Sequence, residues 1–156
     1  MMTGPGRMLG LDVGGKRIGV AVSDELGMIA SPMAMVLRSG TSGREIREHA
    51  QRLGAVSLVV GMPVGMSGRE GPQAKDVRDF VDSIEDEVGL PIVYWDERLT
   101  TSIAEKSLIA SGSRREKRKQ HVDAVAASLI LQGYLDSRQW ASKRAAGNRA
   151  QKAKME

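Results

Sequence analysis

The sequence contains no cysteine, which excludes disulfides, thiolate metal sites and cysteine nucleophiles together. It has only two histidines, His49 and His121, which are too few and too distant in sequence to indicate a zinc site. No apolar stretch approaches the roughly 18 residues of a membrane-spanning helix, and no charged-then-apolar leader opens the chain. We therefore expect a cytoplasmic protein that does not associate with a membrane.

Aromatic residues are also scarce, with one Phe, two Trp and two Tyr against nine Met. Aliphatic and thioether side chains must therefore fill the core. The length of 156 residues predicts one domain with a single core. We expect a loose N-terminus over 1–7, one folded domain over 8–138 and a basic, flexible tail over 139–156.

Basic residues are unevenly distributed in a chain whose net charge is only +4. They concentrate in segments 112–120 and 137–156, and such clusters are typical of proteins that bind phosphate backbones. The alternative interpretation is a solvated loop and a disordered, solubilising tail. The basic residues of the first segment are Arg114, Arg115, Lys117, Arg118 and Lys119.

The first third of the chain predicts an antiparallel meander. Leu9–Val13 and Ile18–Ser23 are strand-like runs joined by Gly14-Gly15-Lys16, which indicates a hairpin turn. A third strand is expected over Met28–Leu37, and Pro32 within it favours an edge position with a break or kink.

The rest of the chain alternates between helical and strand patterns. Ser42-Gly43-Arg44-Glu45 reads as a capping box that starts a helix. Further strands and helices are expected at Val56–Val60, Pro72–Gly89, Ile92–Trp95, 102–112 and 120–137. This order predicts an α/β fold with a mixed five-stranded sheet, in which crossover strands follow the meander and helices flank both faces.

Three acidic residues interrupt apolar patterns. Asp12 lies within the first predicted strand, Glu97 closes the strand-like run that begins at Ile92, and Asp123 falls in the apolar stripe of the last predicted helix. A carboxylate among apolar neighbours is costly unless a partner compensates its charge. Three such groups that converge would suit a divalent cation, because Mg²⁺ prefers carboxylate oxygens and binds substrate phosphates.

Each acid also has a simpler explanation. Asp12 could cap the glycine turn that follows it, and Glu97 could be a surface residue paired with Arg98. Asp96 faces the opposite way from Glu97 in an extended strand and competes for the same role. Asp123 could stabilise the first turn of its helix through the helix dipole, although this would not explain its choice of face. The polar residues of that helix are expected on the opposite side, namely Ser128, Gln132 and Asp136.

Four segments together resemble the YqgF/RuvX family of the ribonuclease H-like superfamily. They are Leu11–Ala21, the glycine-rich loop with its 61–63 and 66–68 parts, Asp96–Thr101, and 122–132. They occur in the family's order and span roughly residues 8–138, so the combination is far more specific than any one segment.

The resemblance implies a metal-dependent endonuclease that processes pre-16S ribosomal RNA or resolves Holliday junctions. It implies Asp12, Glu97 and Asp123 as catalytic ligands of Mg²⁺ or Mn²⁺. Asp96, the competitor from the strand pattern, stays a further candidate ligand. A protein that cuts a junction generally needs two active sites, which favours a homodimer. The residues implied in contact with nucleic acid are Lys16, Arg17, Ser67, Arg69, Arg98 and the basic residues of segment 112–120.

Two other classes of function compete with a nuclease. The Asp-Val-Gly-Gly segment also resembles the phosphate loop of actin-like ATP-binding proteins, but these need a second domain for which 156 residues leave no room. A non-catalytic factor that binds RNA or the ribosome on the same fold is the other alternative, and the presence of Asp12, Glu97 and Asp123 argues against it.

Overall fold

A mixed sheet of five strands organises the part of the chain that the computed structural model describes, residues 6–64, 70–99 and 122–139. The strand order is β3-β2-β1-β4-β5. β1 pairs antiparallel with β2, which pairs antiparallel with β3, while β1–β4 and β4–β5 are parallel. The strands are β1 Arg7–Val13, β2 Arg17–Ser23, β3 Ala30–Leu37, β4 Ala55–Met62 and β5 Ile92–Asp96.

Helices cover both faces of this sheet. They are α1 Ser42–Leu53, α2 Pro72–Val88 and the helix over residues 122–139, which we label α3, and a 3₁₀ turn Glu97–Leu99 follows β5. Gly54 and Gly89 end α1 and α2 in the left-handed region, with φ of 67° and 69°, which glycine adopts without strain. The predicted α/β fold with a mixed five-stranded sheet is confirmed, and the helix predicted over 102–112 lies outside the described residues.

The alternation of side chains along the strands creates two different packing layers. One face carries bulky aliphatic side chains such as Leu9, Leu58 and Val60 and packs against α1 and α2. The opposite face carries Met8, Ala21 and Val59 and packs against α3. We call them the aliphatic face and the α3 face.

The edge strand behaves as its proline predicts. β3 lies at one edge of the sheet, and the pairing register with β2 shifts where Ala21 lies opposite Pro32. Because proline cannot donate a ladder hydrogen bond, it is tolerated at this edge and at such an irregularity.

Two local expectations are wrong. Ser42 is the first residue of α1 rather than its cap, and the N-cap Thr41 makes no side-chain capping hydrogen bond. Ser42 Oγ instead donates to the Leu37 carbonyl and accepts from the Ser39 N–H, which joins β3 to α1. Ser128, expected on the polar side of the last helix, is buried and donates to the Val125 carbonyl.

Candidate active site

The site is built where the parallel strands end. Asp12 lies one residue before the end of β1, and β4 and β5 end beside it at Met62 and Asp96. The carboxyl ends of parallel strands are where open α/β sheets collect ligands. Asp12 points to the opposite face of β1 from Leu11 and therefore faces α3, as Gly10 does. It is half-buried.

Glycines on both sides of Asp12 make room on the α3 face. Gly19 pairs with Asp12 across β2, and a side chain there would overlap the main-chain carbonyl of Asp123 in α3. Leu11 pairs with Val60, so the next position along β4, Gly61, lies beside Asp12 on the other side. Because neither neighbour has a side chain, α3 and the chain after β5 can approach the carboxylate closely.

Glu97 occupies the space above Gly61. A Cβ on Gly61 would lie 3.0 Å from Glu97 Oε1 and would also meet Ile130 of α3. Adjacent strands are separated by about 4.8 Å, so this position brings Glu97 to the α3 face beside Asp12. The structure therefore brings these two predicted acids together.

Asp96 faces the aliphatic side instead. Its carboxylate accepts from Nε and Nη2 of Arg98, at 3.0 and 2.7 Å to Oδ2, and from the Arg98 main-chain N–H at 2.9 Å. These hydrogen bonds from Arg98 lower the pKa of Asp96. Asp96 is thus an acid that pairs with Arg98.

Asp123 reaches the same end of the sheet from α3. Its Oδ2 lies 2.9 Å from Nε of Arg17, at the start of β2, and the two side chains are 24% and 37% exposed. The contact is an ion pair that lacks hydrogen-bond geometry. Oδ2 is buried and has no hydrogen-bond partner in the part of the chain that the structure describes. Asp123 therefore faces Arg17 across the end of the hairpin.

The three predicted acids do not form a complete metal cage. Over residues 6–64, 70–99 and 122–139, no three acids or histidines are arranged to hold a metal ion. The donor set nevertheless suits a hard cation, since it consists of carboxylates alone. Asp123 Oδ2 is buried, is ion-paired with Arg17 and has no hydrogen bond in the described chain, so its capacity to accept a ligand is unused.

A pocket of about 520 Å³ opens beside this ion pair. Lys16 and Arg17 contribute two positive charges to its wall against the single negative charge of Asp123. The Gly14-Gly15 turn forms another side and presents main-chain groups instead of side chains. Positive charge beside exposed backbone suits an anionic group such as a phosphate.

Arg38 holds the hairpin turn in place, and the sequence analysis missed it. Its main-chain N–H donates to the Lys16 carbonyl at 2.9 Å, and its Nη1 donates to the Gly14 carbonyl at 3.0 Å. The same guanidinium makes a two-pronged pair with Asp76 of α2, at 2.8 and 2.9 Å, and lies over the Phe80 ring. This pairing raises the pKa of Arg38 and lowers that of Asp76. An arginine directly after an edge strand was the only available signal.

The residues on either side of segment 65–69 in the glycine-rich loop are held by contacts. Val64 and Glu70 form an antiparallel bridge, and Glu70 pairs with Arg78 of α2. Arg78 in turn lies over the Tyr94 ring, 4.6 Å from its centre. Predicted phosphate contacts that lie outside the described residues are Ser67, Arg69, Arg114, Arg115, Lys117, Arg118 and Lys119.

Comparison with known sequences identifies the family. The profile described as "RuvX: Holliday junction resolvase" matches residues 6–137. The chain belongs to the RuvX family. A protein of Heliobacterium modesticaldum named "Putative pre-16S rRNA nuclease" is 46% identical over 134 residues, covering 85% of this chain and 90% of that relative. One of the same name from Moorella thermoacetica is 46% identical over 132 residues, covering 83% and 94%.

Solved structures agree on the fold of this RuvX protein. Thermus thermophilus RuvC in complex with a Holliday junction superposes with a TM-score of 0.53 at 14% identity, covering 86% of this chain and 96% of that one. A second Thermus thermophilus RuvC structure gives 0.50 at 15% identity, covering 85% and 96%. The predicted family, ribonuclease H-like fold and nuclease class are confirmed. Among the described helices, none combines the length and apolar character needed to cross a membrane.

Proposed function

We propose that this RuvX protein is a divalent-metal-dependent endonuclease of the two-metal type that hydrolyses phosphodiester bonds in structured nucleic acid. Its substrate is the 5′ end of precursor 16S ribosomal RNA, a four-way DNA junction, or both. The names of the relatives support the first, and the family description supports the second. The observation that carries the proposal is the approach of Asp12, Glu97 and Asp123 to one end of one sheet face.

In this proposal Asp12, Glu97 and Asp123 hold Mg²⁺ or Mn²⁺. The chemical type of the donors supports it, because hard divalent cations select carboxylate oxygens, and the buried Asp123 oxygen lacks a hydrogen bond. The chemistry that two such ions would supply there is activation of a water and stabilisation of the attacking and leaving oxygens of the displacement. Asp96 is the weaker candidate ligand because Arg98 already engages it.

The remaining residues of the site position the nucleic acid. Lys16 and Arg17 line the pocket beside Asp123, where they would contact a backbone phosphate. Arg98, Ser67, Arg69 and the basic residues of segment 112–120 complete the proposed contact surface. Phosphate contacts of this kind set register and affinity without reading sequence.

We also propose that the protein acts in the cytoplasm, where precursor ribosomal RNA and junctions in bacterial DNA are processed. A homodimer would supply the two active sites that symmetric cutting of a four-way junction requires.

One observation favours a second candidate function. Since no three acids in the described chain are arranged to hold an ion, a non-catalytic factor that binds RNA or the ribosome on this fold is the alternative. Such a factor would bind precursor RNA with the same affinity whether or not its acids were intact, and it would not cut.

An activity panel separates the two. Four-way DNA junctions and precursor 16S RNA are incubated with the parent protein in Mg²⁺ or Mn²⁺, with and without chelator. We expect cleavage that the chelator abolishes, and we expect Asp12→Asn and Glu97→Gln to reduce it to that background while melting normally. Asp96→Asn is the matched control on the neighbouring residue and should keep measurable cleavage. Cleavage by Asp12→Asn at the parent rate would reject the assignment, and binding without any cleavage would favour the second candidate.

A further inference from the structure

The side chain of Arg17 lies between the Asp123 carboxylate and an open pocket, and each could bind its guanidinium. On one side its Nε is 2.9 Å from Asp123 Oδ2, and on the other it lines the open pocket with Lys16 and the Gly14-Gly15 turn. A guanidinium binds a carboxylate or a phosphate through the same planar set of N–H groups. It can therefore bind either Asp123 or a phosphate in the pocket, but not both at once.

The existing pair is set up for exchange. Arg17 is close to Asp123 but makes no hydrogen bond to the buried Oδ2, so the pair lacks the two-pronged geometry that makes arginine–carboxylate contacts strong. Arg38 shows the contrast, because it meets both oxygens of Asp76 at 2.8 and 2.9 Å. A guanidinium more than a third exposed can swing away without moving the backbone.

The backbone that carries Arg17 is itself held. Arg38 donates to the carbonyls of Gly14 and Lys16, and the Gly14 N–H donates to the Arg17 carbonyl at 2.9 Å. The exchange therefore requires a change of side-chain rotamer at Arg17 and no rearrangement of the turn.

Release of Arg17 alone would be costly. It would leave the buried Asp123 oxygen without the ion pair that compensates its charge. A divalent cation at Asp123 removes that cost, while a phosphate in the pocket compensates Arg17. The two ligands thus satisfy the two groups that the exchange would otherwise leave unpaired.

We propose that Arg17 couples substrate binding to metal binding by exchanging partners. In the free protein Arg17 pairs with Asp123. In the complex with nucleic acid it binds a backbone phosphate, and Asp123 binds the divalent cation. This inference rests on the proposed function and makes Arg17 a positioning residue, which acts on the metal site through Asp123. The two ligands then bind with positive coupling, so that the site is completed only on a substrate.

The first test measures Mn²⁺ affinity of the protein without nucleic acid, by electron paramagnetic resonance of free Mn²⁺. Arg17→Gln removes the competitor for Asp123, so we expect affinity to rise at least about 5-fold, the lower end of typical coupling between sites. Lys16→Gln is the matched control, since it removes the same charge from the same pocket without touching Asp123. It should raise affinity much less. Arg17→Lys, which keeps the charge, should stay near the parent.

A double-mutant cycle separates a specific exchange from a general change in charge. In the Asp123→Asn background, Arg17→Gln should leave Mn²⁺ affinity unchanged, because the group for which they compete is gone. An equal rise in both backgrounds would overturn the exchange, and so would equal effects of Arg17→Gln and Lys16→Gln. Thermal melting of each variant checks that it is folded.

The second test measures the coupling itself. Fluorescence anisotropy gives junction affinity with chelator and with Ca²⁺, a hard cation that shares the preference for oxygen ligands. In the parent, Ca²⁺ should increase junction affinity over that with chelator. In Arg17→Gln this increase should be smaller, by the same factor by which the substitution raised Mn²⁺ affinity. In Lys16→Gln the increase should be retained. A full gain in Arg17→Gln would reject the exchange. Unchanged Mn²⁺ affinity in both Asp12→Asn and Asp123→Asn would instead reject the metal site of the proposed function, and the exchange with it.

Discussion

The two faces of the sheet are built from the same strands but differ in what fills them. The aliphatic face is packed with Leu9, Leu58 and Val60, all fully buried against α1 and α2. On the α3 face, β1, β2 and β4 each carry one glycine, and α3 approaches so closely that a side chain at Gly10 or Gly19 would collide with it. The first face is a core that stabilises the fold, while the second holds acids near one another at its open end.

The largest effect on stability should come from the aliphatic face. Leu58→Ala leaves a cavity in the fully buried core, and we expect the free energy of unfolding to fall by about 2–5 kcal/mol. Cleavage per folded molecule should not change, because Leu58 lies on the opposite face from the acids. Chemical denaturation and single-turnover cleavage on the same sample measure both. A selective loss of cleavage would mean that the two faces are not separate in function.

A smaller loss of stability should accompany a larger loss of activity on the α3 face. In Gly19→Ala the new methyl group overlaps the Asp123 carbonyl, so α3 must shift away from Asp12. Overpacking of this kind costs about 1–3 kcal/mol, and we expect cleavage to fall by more than the unfolded fraction explains.

Gly15→Ala is the control for that change. It lies in the same hairpin, and among the described residues no atom beyond its chain neighbours is within 4 Å of the added methyl group. Both stability and cleavage should stay near the parent values. If Gly19→Ala also cleaves normally once folded, the close approach of α3 is a packing feature and not a requirement of the site.

The smallest effect tests whether the faces communicate through Arg38. Because Arg38 lowers the pKa of Asp76 below its ordinary value of 3.8, this pair stabilises the protein above that pH. The contribution is lost as the pH falls through the lowered pKa. The difference in free energy of unfolding between the parent and Asp76→Asn should be constant above about pH 5 and shrink towards zero in more acidic solution.

Glu70→Gln is the matched comparison, since it breaks the equivalent pair with Arg78 on the same helix. Its stability should show a pH dependence of the same sign. Only Asp76→Asn should alter the amide resonances of the Gly14–Arg17 turn, which Arg38 holds. Equal shifts of that turn in both variants would show that Arg38 does not connect α2 to the site.

Strand and helix positions could be predicted because the evidence for them is local. Alternating apolar residues, the Gly14-Gly15 turn, Pro32 on an edge and Gly89 after a helix each act within a few residues. The predicted capping box at Ser42 is wrong because the Ser42 hydroxyl hydrogen-bonds to Leu37 and Ser39 and not to its own helix. Sequence spacing cannot anticipate that choice, which depends on how β3 meets α1.

The acids show the same division. An interrupted apolar pattern was enough to single out Asp12 and Asp123, and alternation in an extended strand predicted that Asp96 and Glu97 face opposite ways. Glycine within a strand pattern indicates close approach, but the elements that approach Gly19 and Gly61 belong to distant parts of the chain. Gln132 was expected on the polar side of its helix, yet it accepts from Ala30 N–H and ties α3 to β3.

The sequence alone determined the order of elements, the two-faced pattern of the sheet and which acids interrupt its apolar patterns, because each depends on neighbouring residues and their periodicity. Only the tertiary structure decided which glycine each element covers, and that Arg17 pairs with Asp123 while Arg98 pairs with Asp96. A buried carboxylate takes whichever charge the packed elements bring within reach. That depends on how α3 docks across β1 and β2, which no local pattern encodes.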